Sequence, residues 1–319
     1  MNNIIVVLNF MAYKKNISNF FKNAIIYLMM VSAYGQEFQY KTYLKVLGTV
    51  QDGGSPHIGC QKSCCKDLSL EEKEQRKVTS LELYQSGTDE SLLFEASPDI
   101  ISQWNLMNFP ASGIFITHAH MGHYSGLLHL GKEALSSENI PVYVMPKMYN
   151  FLSKNGPWSQ LINQKNILLK KLHENKTIQV LNKVKIIPIL VPHRDEFSET
   201  VGYKIIGPKK KVLFIPDIDK WSLWNKNLIS VLKEVDLAFL DATFFNAKEV
   251  NYRPISEIPH PLVHETVKLL ENETKEIKNK VYFIHMNHTN PLLDPNSNST
   301  KWVVKRGFNV ARIGQEFEL

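Results

Sequence analysis

Ile114-Phe-Ile-Thr-His118-Ala-His120-Met-Gly-His123-Tyr124 places three of the chain's 11 histidines within six residues. The apolar run Gly113–Thr117 leads straight into it. Such a run, followed by a loop, reads as a buried strand. A strand end delivers side chains to the rim of a sheet, where a loop can turn them toward one point. Neutral imidazole nitrogen suits Zn, Fe, Ni and Cu. His118 and His120 fall on one side of an extended segment, because side chains alternate there with a period of two. Both can therefore reach one ion. His123 leaves the turn and can face a second position.

Four later apolar runs also stop at a metal-capable residue. Ile186-Ile-Pro-Ile-Leu-Val-Pro-His193 ends in His, and Val212-Leu-Phe-Ile-Pro-Asp217 ends in Asp. Leu237-Ala-Phe-Leu-Asp241 ends in Asp, and Val281-Tyr-Phe-Ile-His285 ends in His, with His288 just beyond. One such ending is ordinary, because Asp and His also close strands. Four of them together with the triple-His loop point to a common metal edge.

Around these endings, β-type runs alternate with helical stretches. Strands are expected at Tyr43–Val50, Ser91–Ala96, Gly113–Thr117, Pro141–Met145, Thr177–Leu181, Val184–Val191, Val201–Ile206, Lys211–Ile215, Leu237–Leu240 and Val281–Ile284. Helices are expected at Pro98–Met107 (capped by Ser97), Tyr124–Leu135, Lys147–Lys154, Ser222–Leu232, Leu262–Glu271 and Thr300–Arg306. The alternation implies a layered α/β domain. The charge run Leu70–Lys77 reads as a solvated face. There is no internal repeat and no low-complexity linker.

The chain has 319 residues, a formal net charge of +6, 44 % apolar and 21 % charged residues. This is a globular composition and argues against a disordered chain. Lys14, Lys15 and Lys22 precede the short apolar core Ala24–Val31, and the small residues Ser32, Ala33 and Gly35 follow. That order predicts a secretory signal peptide over residues 1–35, with Met11 as an alternative start. Its removal takes three Lys and no acid, leaving +3 on a single domain over 36–319. The localisation expected is exported, periplasmic or secreted. No nucleic-acid partner is expected, and no membrane contact once the leader is gone. The oligomeric state is open.

The stretches Val46-Leu-Gly-Thr-Val-Gln-Asp-Gly-Gly-Ser-Pro56, Thr117–Leu127, Val191–Gly202, Phe239–Phe245 and Ile258-Pro-His-Pro261, with the His and Asp endings, resemble the metallo-β-lactamase superfamily. The resemblance covers nearly the whole chain after the leader. More narrowly, these stretches resemble the pyrroloquinoline quinone biosynthesis protein B family. The fold this implies is an αββα four-layer sandwich: two mixed β-sheets face to face, helices on the outer faces, metals at one edge. The roles implied are His118, His120 and His193 on a first metal, His123 and His285 on a second, and Asp217 bridging both. A metal-bound hydroxide would attack a small ester, amide, lactone or phosphodiester. Asp241 and His288 would orient ligand imidazoles. His260 resembles the histidine that donates a proton in related phosphodiesterases. The cofactor implied is one or two Zn ions, with Fe as the alternative, and the partner is a small-molecule substrate.

One departure stands out. The superfamily reads His-x-His-x-Asp-His, and this chain has Gly122 where the Asp belongs. The second site is then expected to have fewer protein ligands. That opens a single-metal enzyme, or a non-haem iron oxygenase acting on a tyrosine-like or quinone precursor. A nuclease would want a clustered basic surface, and the short Lys runs here do not supply one. A binding protein that kept the fold and lost catalysis is argued against by the retained donors. Separately, Cys60, Cys64 and Cys65 are the chain's three cysteines. With His57 they could form a closed zinc site; a reduced cluster or one disulfide is the other reading. Asp52-Gly-Gly54 reads as a turn and not a phosphate loop.

Overall fold

In a computed structural model, which describes Lys22, residues 40–250 and residues 254–319, the chain pairs into two seven-stranded sheets. The leader expected over residues 1–35 lies outside the described residues, Lys22 apart. Residues Lys41–Leu319 form one compact unit. The first sheet carries β1 (Thr42–Gly48), β2 (Ser80–Gln85), β3 (Glu90–Phe94), β4 (Ala111–Phe115), β5 (Ile140–Val144) and β6 (Ile167–Lys171) in that spatial order. The second carries β7 (Ile178–Gln179), β8 (Lys185–Leu190), β9 (Val201–Ile206), β10 (Lys211–Ile215), β11 (Leu237–Asp241), β12 (Val281–Ile284) and β13 (Asn309–Val310). A last strand, β14 (Glu316–Glu318), pairs antiparallel with β1 on the edge of the first sheet.

Alternation decides which side chains meet between the sheets. Val212 and Phe214 of β10 and Leu237 and Phe239 of β11 join one buried cluster with Leu44, Phe94 and Phe115 of the first sheet. The intervening Leu213, Ile215, Ala238 and Leu240 face outward, against Val263 and Val267 from the helix Val263–Leu269 and Val303 from the helix Asn298–Lys305. On the other outer face, Ile114, Val142 and Val144 pack with Ile100, Met148 and Leu152 from the helices Ile100–Trp104 and Pro146–Lys154. Strands buried on both faces are apolar at successive positions rather than alternating. The result is helix, sheet, sheet, helix: the expected four-layer sandwich. No helix among the described residues is long and apolar enough to cross a membrane.

Strand direction brings the site together. β10, β11 and β12 run parallel, and β8 joins them in direction because it and β10 are both antiparallel to β9. In the first sheet β3 and β4 are parallel, and β1 shares their direction through the antiparallel β2. The C-terminal ends of β8, β10, β11 and β12 therefore share one rim, and those of β1, β3 and β4 share another. Two links hold the rims together. The Tyr203 hydroxyl, fully buried on β9, donates to the Ile116 carbonyl at 2.6 Å, at the entry to the His loop. Val50, just past β1, bridges in parallel to both Val78 and Met286.

Some local expectations change. The helix near residue 100 begins at Ile100 with Asp99 as its N-cap. Ser97 instead donates to Gln103 Oε1 and accepts from the Asp99 N–H. The helix expected over Tyr124–Leu135 is a single turn, Met121–Tyr124, followed by a 3-10 segment, Ser125–Leu130. Gly126 sits so close to the Ala96 and Ser97 carbonyls that no Cβ would fit, and its N–H donates to Ala96 O. This tight docking favours the narrower helix.

Candidate metal centre

Seven carboxylate and imidazole residues converge where the two rims meet. His118 and His120 follow β4, His193 follows β8, Asp217 follows β10, and His285 follows β12. His123 comes from the turn after the loop, and Asp52 from the turn after β1. They form two four-donor sets that share one residue. The first is His118, His120, His193 and Asp217, and the second is Asp52, His123, Asp217 and His285. Within each set the donor atoms lie within 4.8 Å of one another.

The first set closes through His118 Nε2 to His120 Nδ1 (2.8 Å) and His193 Nε2 to His120 Nδ1 (3.3 Å). Asp217 offers one oxygen to each side, with Oδ2 at 3.4 Å from His118 Nε2 and Oδ1 at 3.4 Å from His193 Nε2. In the second set Asp52 Oδ1 stands 3.0 Å from His123 Nε2 and 3.2 Å from His285 Nε2. Asp217 Oδ2 lies 3.8 and 3.9 Å from the same two nitrogens.

The outer nitrogen of every imidazole is held by an oxygen. Thr117 Oγ1 is 2.9 Å from His118 Nδ1, Glu196 Oε2 is 3.0 Å from His120 Nε2, and Asp219 Oδ1 is 3.0 Å from His193 Nδ1. His123 Nδ1 meets Thr117 Oγ1 at 3.5 Å, with the Glu95 carboxylate 3.3 Å away. At His285 the Thr243 hydroxyl donates to Asp241 Oδ1 (2.8 Å), so its lone pair faces His285 Nδ1–H at 3.0 Å. Outer partners of this kind fix the tautomer and aim the inner lone pair at a common point.

Two donor atoms decide what could sit there. His123 Nε2 and Asp217 Oδ1 are buried and make no hydrogen bond, although each has donor-set neighbours within 3.0–3.4 Å. Buried polar atoms are nearly always satisfied. Burial opposes a charge on His123, but Asp52 and Glu95 hold its imidazole well above its usual range; imidazole with carboxylate is a donor set for Zn or Fe, and a cation bound there would take the place of that proton. The backbone also carries strain here. His285 and Glu95 hold φ of 64° and 71°, a left-handed conformation that costs energy outside glycine and gathers at functional sites.

The electrostatics follow from burial and charge. Burial alone would raise the Asp217 carboxyl, but His193, His260 and His285 hold it well below the usual range. Burial, with His123 beside it, keeps His118 well below the usual imidazole value, so its lone pair is free at neutral pH. His260 is opposed by burial and lifted to about 10 by Asp241 and Asp217. Its Nδ1 lies 2.9 Å from Asp241 Oδ2 and 3.1 Å from Asp217 Oδ1. Asp241 also receives the backbone N–H groups of Ile218 and Thr243. It thus orients both His260 and, through Thr243, His285.

The three cysteines form a separate cluster, and here the sequence reading changes. The imidazole grouped with Cys60, Cys64 and Cys65 is His288. His57 stands one ring away, tilted against His288 at 4.5 Å between ring centres, and its backbone N–H points to Cys65 Sγ at 3.4 Å. His288, read as orienting an active-site imidazole, belongs with the thiols because the chain turns away after His285. All three thiols are free, and the Cys64 and Cys65 sulfurs lie 3.9 Å apart, close to the edge of a tetrahedron of about 2.3 Å metal–sulfur bonds. Burial and the neighbouring sulfurs push the Cys64 thiol up to about 12.

Asp52 was the residue that sequence reasoning missed. Its signal lay at a distance, in Gly122: a motif position left without its carboxylate and with no acid beside it.

Residues 90–286 match the beta-lactamase superfamily domain, and the chain belongs to the metallo-β-lactamase superfamily. It is similar over most of its length to coenzyme PQQ synthesis protein B from Nitrosococcus oceani (23 % identity, covering 86 % of this chain and 99 % of that protein). The Pseudomonas putida protein of the same name is 24 % identical, covering 87 % of this chain and 100 % of its own. Among solved structures, Zn(2+)-bound PqqB from Methylobacterium extorquens superposes with a TM-score of 0.71 at 20 % identity, covering 87 % of this chain and 100 % of that one. A diphosphatase from the PhnP family gives 0.63 at 22 % identity, covering 88 % and 97 %. Within the superfamily, then, the curated relatives it is similar to over most of its length carry the name coenzyme PQQ synthesis protein B.

Proposed function

We propose that the protein is a metal-dependent hydrolase that cleaves a small ester, lactone or phosphodiester with two zinc ions held at the paired donor sets. The observation that carries this reading is the sharing of Asp217 between two complete four-donor sets whose imidazoles are all braced from outside. A pair of ions held there would supply Lewis acidity and lower the pKa of bound water toward neutrality. His118, His120 and His193 would hold one ion, His123 and His285 the other, and Asp217 both. Asp241 keeps the His260 ring fixed at Nδ1, an arrangement suited to a histidine that passes a proton to a leaving group. The zinc in the M. extorquens PqqB structure supports the choice of metal. The names of the curated relatives support a place in the synthesis of coenzyme PQQ; export by a leader over residues 1–35 is proposed from the order of its basic, apolar and small residues alone.

Elemental analysis of anaerobically purified protein, paired with turnover assays after Zn or Fe reconstitution, tests this reading. Two zinc ions at the His-dependent positions with phosphodiesterase or lactonase turnover are expected. One iron with oxygen consumption would replace the hydrolase by an oxygenase.

Two further outcomes follow. Thr243→Val leaves His285 Nδ1–H without its acceptor and should weaken metal binding about 10- to 100-fold, read by competition with a chelating dye; unchanged affinity would remove Thr243 from the bracing role. The thiol cluster with His288 is proposed as a structural zinc site. Cys65→Ser should remove one metal equivalent while sparing the His-dependent ones, and should cost roughly 3 kcal/mol where metal exceeds its dissociation constant 100-fold. Full metal content and stability in that variant would mean the thiols bind nothing.

A further inference from the structure

We propose that the carboxylate missing from the His-rich motif has moved to another part of the chain: Asp52 is the second ion's acidic ligand, and Gly122 is the space it needs. The inference rests on the two-ion reading above.

The motif position and the Asp52 side chain occupy the same place. A Cβ built on Gly122 would lie 2.5 Å from Asp52 Cα and 2.7 Å from its Cγ, with Oδ1 nearer still. Real Cβ atoms do not approach backbone that closely. An aspartate at 122 and Asp52 in its present position therefore exclude one another. What fills the gap is chemically what the motif lacks, a carboxylate aimed at His123 and His285 at 3.0 and 3.2 Å.

The position of Asp52 is built. Thr49 and Gln51 pair with Met286 through Met286 N–H to Thr49 O (2.8 Å) and Gln51 N–H to Met286 O (2.9 Å). Met286 is the next residue after His285, so the turn carrying Asp52 is tied to the strand end that carries its partner. On the other side Thr79 N–H reaches Val50 O at 2.8 Å. The Gly54 N–H closes the turn onto Gln51 O at 2.9 Å, and Gly54 takes a φ of 72° that favours glycine.

The test is metal content of the full chain after dialysis, with thermal unfolding as a check on folding. Wild type, Asp52→Asn, His118→Ala, His123→Ala and the Asp52→Asn/His123→Ala double variant are compared. Asn keeps the size of the side chain and removes the charge. Asp52→Asn and His123→Ala should each lose the same single equivalent, and the double variant should lose no more than either. Gly122→Ala keeps Asp52 but pushes its backbone away, and should lose that equivalent too. Replacing zinc by cobalt gives a second readout: Asp52→Asn should remove the absorption of one ion and leave the other. If His123→Ala loses an equivalent and Asp52→Asn keeps it, Asp52 is no ligand and the proposal falls while the two-ion reading stands. Retention of both ions in Gly122→Ala would likewise overturn the spatial exchange. If neither His118→Ala nor His123→Ala changes the metal content, the two-ion reading itself fails.

Discussion

Asp217→Asn should strip metal from both donor sets at once and reduce turnover by on the order of 10³-fold or more, the loss of several kcal/mol of transition-state stabilisation. Asp217 is nearly inaccessible and is the one residue common to the two sets. Asn has almost the same volume, so the packing around it survives. The substitution removes the negative charge and turns one oxygen into an N–H donor facing imidazole lone pairs. His118, His123, His193 and His285 would then converge on a neutral amide, and burying the charge of an ion there without its counter-charge is costly. Metal analysis, with circular dichroism to show that the fold persists, reads the result. A variant that keeps both ions would deny Asp217 the bridging position.

The second large effect is on stability. Phe239→Ala should cost about 3–5 kcal/mol, the usual range for emptying a buried aromatic site. Phe239 is fully buried on β11, in the interior of its sheet, and faces the first sheet. Its ring meets Tyr282 at 5.4 Å and Phe317 of the opposite sheet at 5.6 Å, edge to face. No neighbour can collapse into the space without pulling a strand out of register. For a domain of this size the loss corresponds to roughly 10 °C in unfolding temperature, measured with metal removed so that ligand binding does not mask it. A shift below about 2 °C would mean that the inter-sheet layer repacks far more freely than its geometry implies.

The strands that end in metal-capable residues were legible because they are buried on both faces. Val212–Ile215 and Leu237–Leu240 are apolar at every position, and a run of that kind followed by Asp is hard to miss. β2 was not read. Its Glu82 breaks the apolar run, yet it is fully buried, with Oε1 accepting from the Asn108 N–H at 2.8 Å. β6, Ile-Leu-Leu-Lys-Lys, mixes one buried face with exposed lysines in five residues. β13 and β14 have two and three residues, too few for any period. The His and Asp donors were legible one at a time, since each closes a strand or, like His123, follows one within a single short motif. Asp52 and the place of His288 were not, because both depend on which strand ends are neighbours in space.

The bridge that Val50 makes to both rims has a consequence for how the protein is assembled. Asp52 and His285 are 233 residues apart in the chain, and every donor of the second set other than these two lies between them. A nascent or truncated chain that stops before His285 can present the His-rich loop but cannot close that set. Metal capture at that position would therefore coincide with pairing of the last strand ends instead of guiding it. The last residue of that set to leave the ribosome closes on the first.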